Sequence, residues 1–215
     1  MAVAASPAVV VAEAAEVAPG EPSVRHNARM TTALIVGVLV VALLLFAVVA
    51  FNRLRTCDIA AQEALGGIDV QLTRRADLIP NLVETVKGYA AHEKSVFEAV
   101  TEARAGVQKA AAGDDVPAKA AADAQLQSAL VNLNAVAEAY PDLKANQNFQ
   151  DLQRQLAETE DQISFARQYY NDAVRSLNTL VATIPWLLFA PMARVRAREF
   201  YEAPEGQDQA PQVSF

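Results

Sequence analysis

The chain has 215 residues, 18 Lys/Arg against 25 Asp/Glu, and a formal net charge of −7. Hydrophobic residues make up 53%, but 44 of them are alanines, and aromatics are only 7%. This disfavours a β-sandwich or barrel, which needs β-branched and aromatic alternation, and points to an Ala-rich helical protein. The acidic balance argues against non-specific nucleic-acid binding. The single cysteine, Cys57, excludes an intrachain disulfide and a cysteine zinc site, and His26 and His92 are too far apart for a histidine metal cluster.

Residues 1–30 are rich in Ala, Val, Pro and Glu and read as a disordered tail. Residues 31–51 carry no charge. The 19 residues from Ala33 to Phe51, ALIVGVLVVALLLFAVVAF, include 14 Leu, Ile, Val or Phe. At 1.5 Å per residue that run crosses a hydrocarbon core of ~30 Å, and its insertion gains at most about 4–8 kcal/mol. A transmembrane anchor is expected. A cleaved signal peptide is the rival reading, but the run exceeds the usual apolar length and 30 residues precede it.

Between residues 52 and 184 only Pro80, Pro117 and Pro141 interrupt the chain. A proline breaks a helix interior and suits a helix start, so four helices are predicted, over about 52–78, 81–111, 118–140 and 147–182. The first carries Ile59, Leu65, Ile68 and Leu72, with Gly66-Gly67 as a weak spot. The second carries Leu82, Val86, Tyr89, Val96, Val100, Ala103 and Val107, with Glu93 as the polar interruption. The third carries Leu126, Leu130, Leu133, Ala137 and Tyr140. The fourth carries Phe149, Leu152, Leu156, Thr159, Ile163, Ala166, Tyr170, Val174, Leu177 and Val181. Steps of 3 and 4 specify helices packed at shallow angles. Gly113-Asp114-Asp115 before Pro117, and Asn146 or Asn148, offer turn and cap chemistry. The expected fold is all-α: a transmembrane helix followed by an antiparallel up-down four-helix bundle over 52–184. A coiled coil formed between chains fits the same rhythm.

The run 68–90, IDVQLTRRADLIPNLVETVKGYA, resembles the LemA family. So do 136–149, VAEAYPDLKANQNF, and 165–174, FARQYYNDAV, followed by REFY at 198–201. The resemblance covers residues 51–202. It implies one N-terminal membrane helix and a helical bundle, with no established enzymatic activity; the residues themselves lead to no expected cofactor or metal. It also implies a bacterial plasma-membrane protein associated with other membrane proteins, membrane-bound proteases among them; one branch takes part in forming magnetosome membranes. The 30-residue tail and the apolar stretch 185–193 depart from the pattern.

No Walker loop, GxSxG, HExxH or CxxC occurs, and His92 lacks a partner for metal or di-iron chemistry. Parity of the four helices brings the joint at 77–81 and the joint at 140–148 to one end of the bundle. Arg74, Arg75, Asp77, Leu78, Ile79, Asn81, Tyr140, Asp142, Leu143 and Lys144 there form a candidate partner surface; the alternative is that they simply cap the helices. The segment 185–200 places Trp186, Leu187, Leu188 and Phe189 before Arg194, Arg196 and Arg198, a composition suited to an anionic membrane surface. Residues 201–215 read as a second disordered tail. Arginines flank the membrane helix two on each side, and the 194–198 cluster tips the bundle toward the cytoplasm. The expected function is a non-enzymatic, membrane-anchored adaptor or scaffold for other membrane proteins, with membrane lipid and a second copy of the chain as further expected partners. The alternative is a membrane-organising protein acting through lipid contact at the 185–198 segment and self-association.

Overall fold

The computed structural model describes residues 22–202. The expected tails fall largely elsewhere: residues 1–21 and 203–215 lie outside the described residues. Every regular element in the described range is helical. Helix α1 spans Pro22–Lys87, α2 Lys94–Ala111, α3 Val116–Glu138, α4 Pro141–Lys144, α5 Gln147–Ala182 and α6 Ala190–Ala193, with one 3₁₀ turn at Trp186–Leu188 before α6. The chain divides into two compact units between Phe46 and Ala47.

In the first unit α1 begins at Pro22, so residues 22–30, placed by composition in the tail, are helical. A proline at a helix start loses no hydrogen bond. The apolar run makes α1 long and apolar enough, by length and composition, to cross a membrane. Its leucines and valines from Leu34 to Leu45 are exposed, as a lipid-facing helix requires.

In the second unit α1, α2, α3 and α5 contribute to one buried core. The stripes expected for α3 and α5 are its faces: Leu126, Leu130 and Leu133 from the former, and Phe149, Leu156, Ile163, Tyr170, Val174 and Leu177 from the latter, are buried. Asp115 caps α3 by accepting from the Ala118 N–H (3.1 Å), with Pro117 in the first turn. Asn146 caps α5 by accepting from the Phe149 N–H (3.1 Å). Both joints are therefore closed by the residues the sequence offers for them.

The first joint is not where proline places it. Helix α1 runs through Pro80 to Lys87, and the chain turns over residues 88–93. Proline lacks the N–H that would bond the carbonyl four residues back, which leaves Ala76 C=O without its helical donor. Arg104 of α2 supplies one: its Nε donates to that carbonyl at 2.9 Å. With the orphan satisfied across the helix pair, Ile79, Leu82, Val83 and Val86 continue the core face of α1 on both sides of the proline. The helix ends instead at Gly88, whose propensity is poor and whose flank is exposed. Glu93, the polar interruption in the expected stripe, is the residue preceding α2. Ile59 also departs from expectation: it is exposed, and Leu54, Ala61 and Ala64 take the inner positions.

Cross-helix pairs order the elements. Lys87 lies over the Phe97 ring at 5.5 Å, and Ala76 meets Arg104, so α1 and α2 pair in opposite senses. Asp69 pairs with Lys119 and Arg75 with Asp123, so α1 and α3 ascend together. Asp123 meets Arg167, and Asn134 meets Gln153, so α5 descends along α3.

The Pro80–Arg104 arrangement gives a double-mutant test. Replacing Arg104 with Met is expected to cost about 1–3 kcal/mol in unfolding free energy, because a buried carbonyl loses its donor. In a Pro80→Ala background, where residue 80 again donates to Ala76, the same replacement should cost close to nothing. Equal costs in both backgrounds, read from chemical unfolding by circular dichroism, would refute the account.

Candidate functional site

The structure takes apart the expected partner surface. Residues 77–81 form no loop but lie within α1. Arg75, Ile79 and Leu143 are buried, because Arg75 turns to α3 and α5 while the two aliphatic side chains join the core. Leu78 and Tyr140 are half-buried against it. Arg74, Asp77, Asn81, Asp142 and Lys144 stay exposed. The joint that stands beside residues 140–146 is 88–93: Asn146 Nδ2 donates to the Tyr89 hydroxyl at 3.0 Å.

The expected membrane-contact segment divides in two. Leu187 and Leu188 are exposed, Trp186 and Phe189 are half-buried against the core, and Arg194 and Arg196 are exposed. Arg198 does not belong to this cationic group. Its Nε and Nη2 donate to Asp58 Oδ1 at 3.0 and 2.8 Å, and its Nη1 donates to Gln62 at 2.7 Å. A guanidinium forked onto a carboxylate of α1 has its charge consumed within the protein.

Arg198 lies within a strap of non-helical backbone over residues 195–202 that runs back along α5. Extended backbone away from any sheet must find partners for its N–H and C=O groups. Two asparagines provide them. Asn178 donates to Arg198 C=O and accepts from its N–H, both at 2.9 Å. Asn171 does the same for Tyr201, at 3.0 and 2.8 Å. Seven helical residues rise roughly 10.5 Å and three extended ones roughly 10 Å, so the two asparagine positions match the two strap positions. Tyr170 adds a hydroxyl bond to Glu199 C=O at 2.9 Å.

The strap ends on a buried charge network. Asp123 of α3, 1% exposed, accepts from Arg75 of α1 at 2.9 Å and from Arg167 of α5, and the Tyr201 hydroxyl lies 3.4 Å from its Oδ2. Arg75 also reaches Gln127 of α3 and pairs with Glu160 of α5 at 2.8 Å. Arg167 sits over the Tyr201 ring at 5.2 Å. One turn away along α3, fully buried Lys119 pairs with Asp69 and donates to Ala111 C=O at 3.2 Å. Two cations face two anions in the first group and one faces one in the second, so each is neutral. Burial pushes the Asp69 carboxyl above its ordinary range, although Lys119 pulls the other way. Burial opposes the Arg167 charge, but Asp123 beside it outweighs this and holds the guanidinium above its ordinary value. The sequence flagged Arg75 only as a surface residue and did not single out Asp123 or Lys119. The usable signal was that FARQYYNDAV and REFY, the strap and its seat, belong to one family pattern.

Burial raises the Tyr170 phenol above its ordinary range and the Tyr201 phenol well above it, and for Tyr201 the nearby Asp123 adds to it. A phenol whose folded pKa exceeds its unfolded value near 10 contributes stability that is complete below pH ~10 and is lost as pH rises further. Alkaline titration followed at 295 nm should therefore show a late phase that unfolding abolishes. Tyr201→Phe should remove part of that phase. A Tyr201 that ionises with an ordinary midpoint in the folded chain would contradict the burial of its side chain.

A family model described as the LemA family matches residues 64–215. Among similar proteins, Magnetosome protein MamQ 1 and MamQ 2 of Paramagnetospirillum magneticum are each 27% identical over 191 residues, covering 78% of this chain and 70% of theirs. Magnetosome protein MamQ of Magnetospirillum gryphiswaldense is 24% identical over 213 residues, covering 86% of this chain and 78% of its own. The matched range takes in the buried network, both asparagine clamps and the strap together, and the chain belongs to the LemA family.

Proposed function

We propose that this protein is a non-enzymatic, single-pass anchor of the bacterial plasma membrane whose helical body serves as an adaptor or scaffold for other membrane proteins. LemA membership and the magnetosome relatives fit a membrane-associated role. We infer that α1, α2, α3 and α5 form an up-down-up-down bundle, an arrangement supported by the senses of the cross-helix pairs. The observation that carries the adaptor reading is the outer face of α5. Phe165 and Tyr169, one turn apart, are 68% and 59% exposed, while Arg167 between them turns inward to Asp123. Exposed aromatics spaced along one helix face are the side chains that protein interfaces use as anchors. An integral membrane protein, a membrane-bound protease included, or a second copy of this chain is the expected occupant.

A photo-crosslinking residue at position 165 of the full chain tests this in cells. Discrete adducts with an integral membrane protein, or adducts at twice the chain mass, are expected from 165 and 169 and not from the exposed control position 108. No adduct, or the same products from all three positions, would overturn it.

We infer a cytoplasmic body, a reading supported by the balance of Arg194 and Arg196 against an otherwise even distribution of arginines. In a Cys57→Ser background, a cysteine at position 108 should resist a membrane-impermeant thiol reagent until the cells are opened. Labelling of intact cells would reverse the orientation.

A second reading, organisation of the membrane through direct lipid contact, is favoured by a separate observation. Ile184, Leu188 and Met192 are 81%, 69% and 70% exposed beside Arg194 and Arg196.

A further inference from the structure

The segment between α5 and the strap is built as more than a sticky surface. Val181, Leu187, Pro191 and Val195 line an open cleft of about 730 Å³, and Arg194 and Arg196 stand in its wall. That volume is in the range of sites for single small ligands. The two guanidinium groups have no ion pair or side-chain hydrogen bond among the described residues, whereas Arg75, Arg167 and Arg198 are all paired. Arg194 also holds a left-handed backbone, φ 54°, the one non-glycine residue with positive φ among the described residues. An arginine pays for that conformation where glycine would not. The turn ends α6, with the Arg194 N–H bonded to Pro191 C=O at 3.2 Å and the Val195 N–H to Ala190 C=O at 3.1 Å. It therefore puts Arg194 at the cleft and sends the chain toward the clamp at Arg198.

We propose that this cleft is a binding site for one acidic phospholipid of the bilayer. It rests on the lipid-contact reading above and narrows it from a surface to a site. The phosphodiester sits between Arg194 and Arg196, whose guanidinium N–H groups donate in a planar fork to its oxygens. One of its two acyl chains lies along Leu187, Val181 and Val195. The exposed rim of Leu188 and Met192 enters the lipid around it. A zwitterionic lipid, whose own ammonium opposes the arginines, is the weaker ligand.

The only tryptophan, Trp186, immediately precedes the cleft-lining Leu187 in the chain and serves as the reporter. The full chain is reconstituted in phosphatidylcholine vesicles containing a minority of phosphatidylglycerol, with acyl-chain bromine carried on one lipid or the other at equal mole fraction. Tryptophan quenching is expected to be stronger when phosphatidylglycerol carries the bromine. The preference should fall by roughly five-fold for each arginine removed. Arg194→Gly suits the left-handed backbone and Arg196→Gln lies on the exposed strap, so the doubly substituted protein should keep its helical circular dichroism while losing the preference. Equal quenching from both carriers in the unaltered protein overturns the site but leaves lipid contact standing. Absence of quenching from either carrier overturns lipid contact itself. Loss of the preference on adding millimolar glycerol 1-phosphate would show a site for a soluble phosphate and overturn the lipid assignment.

Discussion

The structure depends on one carboxylate that water cannot reach. Asp123 sits at the centre of the helical body, and Arg75, Arg167 and Tyr201 converge on it from α1, α5 and the C-terminal strap. A buried charge left without its partner costs on the order of 3–5 kcal/mol, much of a domain's net stability. The surrounding core cannot supply such a constraint. Alanines such as Ala61, Ala64, Ala76, Ala120, Ala122, Ala129 and Ala137 fill many of its positions, and an alanine face looks much the same after a slip of one turn. Sliding α3 by one turn would keep small residues against small residues but would pull Asp123 from both guanidiniums and Lys119 from Asp69. The polar pairs therefore fix a register that the apolar stripe leaves weakly determined.

What could be read from the sequence follows from the range of each interaction. Helix α5 was legible end to end, because its stripe, its cap at Asn146 and its termination are local properties of residues 147–182. The same holds for the Asp115 cap and for the apolar run of α1. Pro80 misled because the local cost of proline is real, whereas its relief comes from Arg104, a residue 28 positions beyond the Ala76 carbonyl it bonds. The joint at 88–93 then went unseen, since Val86, Tyr89 and Val96 continue the 3-and-4 rhythm across it. Arg75 misled for a related reason. Next to Arg74 and Asp77 it reads as one of a charged surface run, and only the fold shows that it turns inward while its neighbours stay in solvent. Family resemblance marked these stretches as special but pointed to a surface where the main reason is a core.

The same sorting of charges redraws the outside. Five arginines gave the two expected surfaces their cationic character: Arg74, Arg75, Arg194, Arg196 and Arg198. Two of them, Arg75 and Arg198, have their charge consumed by carboxylates within the protein. The net charge of −7 is thus a poor guide to what a partner meets. Residues 194–196 present two cations without an ion pair among the described residues, over a local apolar patch, which is the part of this acidic chain best matched to an anionic surface.

The strap explains how inward and outward arginines coexist within five residues. An extended chain alternates its side chains, and Arg194, Arg196 and Arg198 share a parity that would put all three on one side. Two features break that symmetry. The left-handed turn at Arg194 re-aims the chain before the extended run begins, and Asp58 with Gln62 draws Arg198 onto α1. Asn178 holds the Arg198 backbone and Asn171 the Tyr201 backbone, so the run cannot rotate to release Arg198 without breaking four backbone bonds as well. The clamps that seat Tyr201 against the Asp123 network are thereby the same contacts that leave Arg194 and Arg196 facing out.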